Sequence, residues 1–444
     1  MKKNLFLCFL FVAAVFATSC KKQTFSGSAS GKSDVYSREC FYIEAVDSNT
    51  VIGMEALFGS TSGISFEYSI NLPDWKPFVV GETSIKLAQI GDKVFVRAKG
   101  NNNVINCHFF ATRKVKVGGN IMFLLDEKGE KTTLSNNSNG GAFQYLFYDM
   151  AELTDASDLY LPAVSLSDYC YQGLFAECTS LKSAPKLPAE RLATGCYQYM
   201  FEKCTALEAA PKLPAKRLAE NCYEGMFAGC ESLTKSPEIL ATTLSRECCM
   251  GMFFECESLT NAPELPATKL AEGCYAQMFA KCTSLSTLSK LPASELIDKC
   301  YYLMFDSCIS LKTAPELPAK ELAPSCYYAM FSNCSSLTTV PTLPAEELVS
   351  SCYYGMFYNC TSLRKAPTLP AAELVNSCYS MMFYGCESLN SVDVNFTSWN
   401  SSSTNHWLEG VAENGTFRCT EDLDTFRRGV TYIPSEWNIS LKNN

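Results

Sequence analysis

The chain has 444 residues, of which 47% are hydrophobic and 19% charged, and its formal net charge at pH 7 is −9. This apolar content is enough for a long buried core, whereas the acidic balance and the lack of a Lys/Arg-rich run with interleaved aromatics argue against a nucleic-acid partner. The sequence has two histidines, His108 and His406, neither within a motif, and no P-loop, G-x-G-x-x-G or G-x-S-x-G. We therefore expect no catalytic activity and no cofactor or metal.

The first twenty residues have the features of an export signal. Two lysines precede an apolar run over residues 5–16, which is too short to span a bilayer, and Ala-Thr-Ser-Cys follows at 17–20. Small residues before a cysteine resemble the bacterial lipobox, so residues 1–20 are predicted to be a lipoprotein signal peptide with Cys20 as the lipid attachment site. Ordinary cleavage near Ala17, with Cys20 incidental, is the alternative. A lipid anchor predicts an outer-membrane location facing the cell surface, with the periplasmic face as the other possibility, because Lys21 and its neighbour are not acidic.

Three further segments precede the repeats. Residues 21–39 are rich in Ser, Gly and Lys and are predicted to form a flexible tether. Residues 40–117 alternate short β-rich runs with turn residues, which predicts a small all-β sandwich of immunoglobulin-like size. Residues 118–169 are predicted to form a linker and a degenerate repeat that caps the N-terminal end of the array.

Residues 170–395 repeat with a period of 26 residues and no insertion. The leading cysteines are at 170, 196, 222, 248, 274, 300, 326, 352 and 378. Counting each as position 1, position 6 is always Phe, position 9 always Cys and position 12 always Leu. Positions 1, 2, 5, 6 and 9 lie on one face of a helix, so each unit is predicted to begin with a short amphipathic helix. The period itself lies within the range of leucine-rich repeats.

Prolines change the pattern after position 9. In the unit beginning at Cys352, Pro367 and Pro370 lack a backbone N–H, so we expect a parallel strand of only three to five residues around residues 362–365. The fold class predicted from these features is an α/β repeat solenoid with one short helix and one short parallel strand per unit. Because one unit cannot cover its own apolar face, the units are expected to stack.

The C-terminal segment, residues 396–444, contains three of the four tryptophans. Trp399, Trp407 and Trp437 are predicted to cover the open end of the solenoid, since the last unit would otherwise expose its apolar face. A ligand site built on these indole rings is the alternative.

Eighteen of the 24 cysteines occupy positions 1 and 9 of the repeats. On a helix the two would be separated by about 12 Å of rise, too far for a disulfide within one unit. The C-x-x-C spacing of metal sites does not occur. We expect buried free thiols arranged in ladders between units, with disulfides between adjacent units as the alternative in an exported protein.

Two exposed stripes are candidate binding surfaces. The first is expected on the strand face, at positions 13, 14 and 17, where Lys and Arg occur together with Glu and Thr. Its candidate binding residues are Lys186, Lys212, Lys235, Lys290, Lys312 and Arg364. The second is aromatic and contains Tyr302, Tyr328, Tyr354, Tyr358 and Tyr384. Contiguous exposed aromatics can mark an interaction site, although these rings could instead lean over neighbouring units as extra packing. Trp407 in the C-terminal segment is a further candidate.

The repeat motif MF-x-x-C-x-S-L, followed by L-P-A, resembles the BspA-type leucine-rich repeat surface proteins of anaerobic bacteria. The segments EYSINLPDW, GDKVFVRAKGNN, VKVGGNIMFLLD and TSWNSSSTNHWLEGVAENGTF are similar to flanking modules of that family. The resemblance implies a non-catalytic lipoprotein or secreted adhesin whose curved solenoid binds host matrix proteins or glycans. The partner expected is a protein on a host or neighbouring cell, with a glycan as the other possibility. The alternative function is a glycan-binding accessory of a polysaccharide-uptake system, in which Trp399, Trp407 and the exposed tyrosines would stack on sugars.

Overall fold

The structure is a computed structural model, and it describes residues 40–57, 64–70, 72–100, 102–137, 140–288 and 290–442. The predicted signal peptide, lipid attachment site and tether lie outside the described residues. Among the residues that are described, no helix is long and apolar enough to cross a membrane.

The N-terminal part of the described chain is built from antiparallel sheets. Its strands are β1 (Tyr42–Ala45), β2 (Thr50–Ala56), β3 (Phe66–Ile70), β4 (Lys76–Phe78), β5 (Ile85–Leu87), β6 (Lys93–Ala98), β7 (Cys107–Ala111) and β8 (Val115–Asn120). One sheet has the order β8-β1-β6-β3-β4 and the other β5-β2-β7. In β1 and β5 every second side chain is buried, as expected for strands with one face on a core. A four-residue 3-10 helix, Ile121–Leu124, follows and is fully buried.

The first sheet continues into the repeats. After the short pair β9 (Asn136–Asn137) and β10 (Gly140–Gly141), strand β11 (Leu153–Tyr160) pairs in parallel with β8 and becomes the edge strand of a six-stranded sheet. Asp155 of β11 then forms a parallel bridge with Ser183 of the first full unit. The backbone hydrogen bonding of the N-terminal sheet is therefore continuous with that of the stacked units.

The α/β fold class is wrong, because the described residues of the repeats contain no helix. Positions 1–9 of each unit form a succession of tight turns. Backbone N–H groups alternate between two partners: that of Met200 donates to the carbonyl of Tyr197 three residues earlier (3.1 Å), and that of Phe201 donates to Met226 in the next unit (2.9 Å). A helix would satisfy these donors within the segment. Here every second donor links one unit to the next.

Left-handed backbone at every fourth residue produces this path. Numbering the residue before each leading cysteine as position 0, positions 0, 4 and 8 of all nine units have φ between +48° and +71°. A repeat of four residues keeps positions 1, 2, 5, 6 and 9 on one side, as a helix would, because the two periods differ by only about 80° over eight residues. Eight of these 27 positions are Gly and three are Asn, the residues that tolerate left-handed backbone best.

A substitution at Gly251 distinguishes the turns from a helix, because its effect on the free energy of unfolding should have opposite signs in the two conformations. Gly251 has φ +58°, and an added Cβ would meet only the Cβ of Phe254, at an ordinary 3.7 Å. Gly251→Ala should therefore lower the free energy of unfolding by about 1 kcal/mol through backbone strain, whereas Ala would stabilise a helix by about 1 kcal/mol. Urea denaturation measures the change in the free energy of unfolding. The matched reverse change is Ser351→Gly, at φ +56°, which should be stabilising or neutral. If Gly251→Ala stabilises the protein, the turn geometry is contradicted.

The opposite side of each unit is extended. The strand expected at residues 362–365 is displaced: β12 is Lys365–Leu369 and contains Pro367. It begins a parallel sheet that continues through β13 (Ser391–Val394), β14 (Thr416–Cys419) and β15 (Asn438–Leu441). In earlier units the pairing is reduced to isolated parallel bridges at positions 14, 18 and 22. Prolines at positions 16 and 19 cannot donate to a ladder, which accounts for the interruption.

The core consists of columns of identical side chains, one from each unit. The predicted core positions 1, 2, 5, 6, 9 and 12 are no more than 2% exposed. Phe rings at position 6 stack with centroids 5.4–5.8 Å apart from Phe175 to Phe383. Toward the N terminus this column continues through Phe147 to Phe109 of the β-sheet part, and at the other end it meets Trp407. Both ends of the column are thus covered by residues outside the regular units.

The 22 described cysteines are all buried free thiols. Those at position 9 form a regular ladder, in which each Sγ donates to the carbonyl of the position-6 Phe in the preceding unit. In the middle of the array Cys282 donates to Phe253 and Cys308 to Phe279, over 3.1 and 3.2 Å. The position-9 thiols therefore contribute packing and weak hydrogen bonds between units.

Candidate functional site

The six predicted basic residues are exposed and lie on the extended side of the units. At position 17 are Lys186, Lys212 and Lys290; Lys235 is at position 14, and Lys312 and Arg364 are at position 13. Next to position 17 the Leu or Ile of position 18 is buried, so alternation along the extended chain turns position 17 toward solvent. The structure brings Lys186 and Lys212 together in adjacent units. Glu238 and Glu264 occupy the same row before Lys290, so the six do not form one continuous patch.

In the described part of the chain, the six basic residues of the extended side lack the ion pairs that lysines of the turn side form. On the turn side, Lys203 pairs with Glu177 of the preceding unit at 2.7 Å, and Lys281 pairs with Glu255 at 2.6 Å. Among the described residues, none of the six strand-side cations has a carboxylate within 4.0 Å. Their charges are therefore available to an acidic surface without first breaking an internal ion pair.

A shallow groove of about 440 Å³ lies on the same side, between the units that begin at Cys326 and Cys352. Its lining includes Thr342, Thr368 and Pro341, and Lys365 lies at its basic end beside Arg364. Hydroxyls, proline rings and a nearby cation suit contact with an extended polypeptide better than enclosure of a small apolar molecule.

The five candidate tyrosines are half-buried and stacked on one another. Tyr328 lies between Tyr302 and Tyr354, with centroids 4.8 and 4.6 Å away, and Tyr358 stacks on Tyr384 at 4.9 Å. Burial, reinforced by the two flanking phenols, raises the pKa of Tyr328 to about 12, so its hydroxyl stays protonated. Because neighbouring rings cover the faces within each stack, mainly ring edges and hydroxyls are presented to solvent. This geometry provides hydrogen-bonding groups but little open face on which a sugar could stack.

Trp407 is fully buried and has no face available for a ligand. Its indole Nε1 donates to the carbonyl of Tyr432 at 2.9 Å, and Trp437, 2% exposed, donates to Ala412 at 2.8 Å. Trp399 is partly buried and likewise donates to a backbone carbonyl. The 26-residue sequence period does not continue into this segment, so the sequence alone could not distinguish a buried indole from an exposed one.

A cleft of about 700 Å³ was not predicted from the sequence. It lies where the β-sheet part meets β11, and its lining includes Tyr42, Lys93, Phe123, Asp158 and Tyr160. Tyr160 is 59% exposed. The lining residues come from β1, β6, the 3-10 helix and β11, so no local sequence pattern could identify them.

The groups most often used in catalysis have structural partners here. His108 Nδ1 is 3.2 Å from the carbonyl of Tyr148, and His406 contacts Glu409. Within the described ranges, no group of three or more His, Cys, Asp or Glu side chains is arranged to hold a metal ion.

Comparison with known proteins agrees with the repeat geometry. A family described as BspA type leucine rich repeat region matches in six copies over residues 143–277, 197–328 and 325–405, which together make up more than half of the chain. No curated protein matches the sequence significantly. The resemblance read from the repeat motif is therefore confirmed, and with it the broad role of a protein-interaction repeat. The chain belongs to the BspA-type leucine-rich repeat family.

Proposed function

We propose that the protein is a non-catalytic lipoprotein of the cell envelope whose repeats bind a partner protein, as an adhesin does. The proposal rests on the extended side of the units, where Lys186 and Lys212 are exposed and adjacent and, among the described residues, have no carboxylate within 4.0 Å. The groove beside Arg364 adds a second contact region on the same side. A repeat array binds most naturally along such a surface, because stacking repeats one set of side chains at regular spacing.

The partner in this proposal is an acidic protein surface on a host or neighbouring cell. Cys20 anchors the chain in the outer membrane, with the repeats facing outward. Glycan binding in polysaccharide uptake has less support, because Trp407 is buried and the candidate tyrosines cover one another.

Binding of the full chain to immobilised extracellular-matrix proteins tests the role of the basic pair. Lys186→Glu combined with Lys212→Glu should weaken binding about tenfold or more, since it replaces attraction by repulsion at the contact. The matched control is Lys76→Glu with Lys86→Glu, which makes the same charge change at exposed positions of the β-sheet part. Equal binding by both variants and the unchanged protein would refute this surface.

Location is tested separately, on intact cells. Externally added protease should digest the chain, and Cys20→Ala should shift it from the membrane to the soluble fraction. Protection until the outer membrane is permeabilised would rule out the adhesin role, because a chain facing the periplasm cannot reach another cell.

A further inference from the structure

Position 22 of successive units forms a row of exposed side chains whose charge reverses halfway along the solenoid. In chain order the row is Arg191, Arg217, Thr243, Lys269, Glu295, Glu321, Glu347 and Glu373, all exposed. Parallel bridges at Arg217↔Thr243 and Glu295↔Glu321 place neighbouring members directly beside each other. The N-terminal half of this charge-reversed row is therefore basic, and the C-terminal half is wholly acidic.

The charges of the row have no ion-pair partner among the described residues. In the part of the chain that the structure describes, none of its seven charged members lies within 4.0 Å of an opposite charge. The nearby cation Arg246 is already engaged by Glu220, Glu247 and Glu272. Strand-like neighbours are about 4.8 Å apart, so four consecutive glutamates repel one another. A surface carrying the reversed order of charges would relieve that repulsion.

A second copy of the same chain carries that reversed order. When two rows meet face to face and antiparallel, Arg191 faces Glu373 of the second copy, Arg217 faces Glu347, and Lys269 faces Glu295. Thr243 faces Glu321, which leaves one neutral contact in each half. Both copies have the same unit spacing, so all of these pairs share one register.

The row at position 21 fits the same alignment. Lys216 faces Glu346 of the second copy, whereas Lys320 and Glu190 face the uncharged Thr242 and Ala372. No like charges meet in either row. Near the centre of the contact, the exposed Ile297, whose accessibility is 43%, faces Ala271 of the second copy. One residue farther along, at the rim of this contact, the exposed Asp298 faces Glu272, so the complementarity lies in the rows at positions 21 and 22.

We propose that two copies associate through the charge-reversed row as an antiparallel dimer, with the two-fold axis between the units that begin at Cys248 and Cys274. A parallel arrangement in the same register would place Arg on Arg and Glu on Glu. A parallel arrangement shifted by four units would pair opposite charges but leave both ends open, giving a growing chain of molecules. Only the antiparallel arrangement is both complementary and closed. The row is separate from the cations of the proposed binding surface, which lie at positions 13, 14 and 17.

Exposed ion pairs are individually weak, so they determine orientation and salt dependence more than strength. Sedimentation velocity of the full chain in mild detergent should show a dimer at about 50 mM salt, with a dissociation constant at least about tenfold higher at 500 mM, where charges are screened. A monomer at both salt concentrations would overturn the proposal. So would a dimer that is indifferent to salt.

Charge reversal identifies the alignment. Arg217→Glu and Glu347→Lys should each raise the dissociation constant about tenfold, and the double variant should return it to within about threefold of the original value. These residues are five units apart within one chain, so the rescue can come only from contact between copies. Because both are exposed, unchanged urea midpoints serve as the folding control. If the two substitutions weaken dimerisation additively in the double variant, the antiparallel alignment is overturned. If instead Glu321→Lys restores the association of Arg217→Glu and species larger than dimers form, the shifted parallel alignment replaces it.

Discussion

Raising the pH above about 9 is expected to unfold the protein in one steep transition. Burial raises the pKa of seventeen of the eighteen repeat thiols, to about 12 for Cys274, Cys282 and Cys386. Cys248 is the exception, because a hydrogen bond with Cys249 lowers its pKa. A thiol in the unfolded chain titrates near pH 8.5. Between these values the folded chain holds protons that the unfolded chain has lost.

The sign of the effect follows from this difference in proton binding. Where the folded state binds more protons, the free energy of unfolding falls as pH rises, by about 1.4 kcal/mol per pH unit for each such group. The contribution is intact below pH 8.5 and is lost progressively above it. Seventeen thiols acting together would exceed the roughly 5–15 kcal/mol by which folded domains are usually stable within about one pH unit. The buried position-2 tyrosines, whose pKa values burial also raises, add to the loss above pH 10.

Circular dichroism and thiolate absorbance near 240 nm, followed together at constant ionic strength, check this expectation. The two signals should change at the same pH, because the thiols ionise only when the array opens. Thiolate absorbance that rises near pH 8.5 while the dichroism is unchanged would show that the thiols are accessible in the folded state. No thiolate absorbance after unfolding would show that disulfides between units have replaced the free thiols.

Replacing Trp407 with alanine should lower the free energy of unfolding by about 3–5 kcal/mol. Trp407 is fully buried against Tyr379 and Phe383, with ring centroids 6.5 Å away in both cases, and it also contacts Phe396 and Phe417. The Tyr column and the Phe column therefore both end on this one side chain. Its removal leaves a cavity and exposes the last rings of both columns.

Phe426→Ala is the matched control, because Phe426 is an aromatic of the same C-terminal segment but is 94% exposed. It should change stability by no more than about 0.5 kcal/mol. Urea denaturation compares the two variants, and hydrogen exchange locates the damage, which is expected first in the units that begin at Cys352 and Cys378. Equal effects of the two substitutions, or exchange that starts in the β-sheet part, would contradict the capping role of Trp407.

The regularity of the array makes much of the core readable from the sequence. Phe at position 6, Leu at position 12 and Cys at positions 1 and 9 recur without a gap, and all are buried. The exposure of Lys186 and Lys212 was also predictable, because each directly precedes a buried leucine and side chains alternate between buried and exposed along an extended chain. These inferences depend only on the period and on which side chains avoid water.

The conformation of the turn side was not predictable from apolar spacing, since repeats of 3.6 and four residues bury the same positions over so short a segment. Glycines such as Gly225 and Gly251 were the available signal, because glycine inside a short helix would be unfavourable in several units at once. The same limit applies to Trp407, whose burial depends on contacts with residues distant in sequence.

The amino-acid sequence by itself determined the 26-residue period, the identity of the buried columns and membership of the repeat family, because each is expressed in local, recurring side-chain chemistry. Only the tertiary structure decided that turns replace helices and that β11 joins β8. Those features depend on which backbone groups and side chains from distant segments meet, and the free energy of such contacts cannot be inferred from the residues of a single unit.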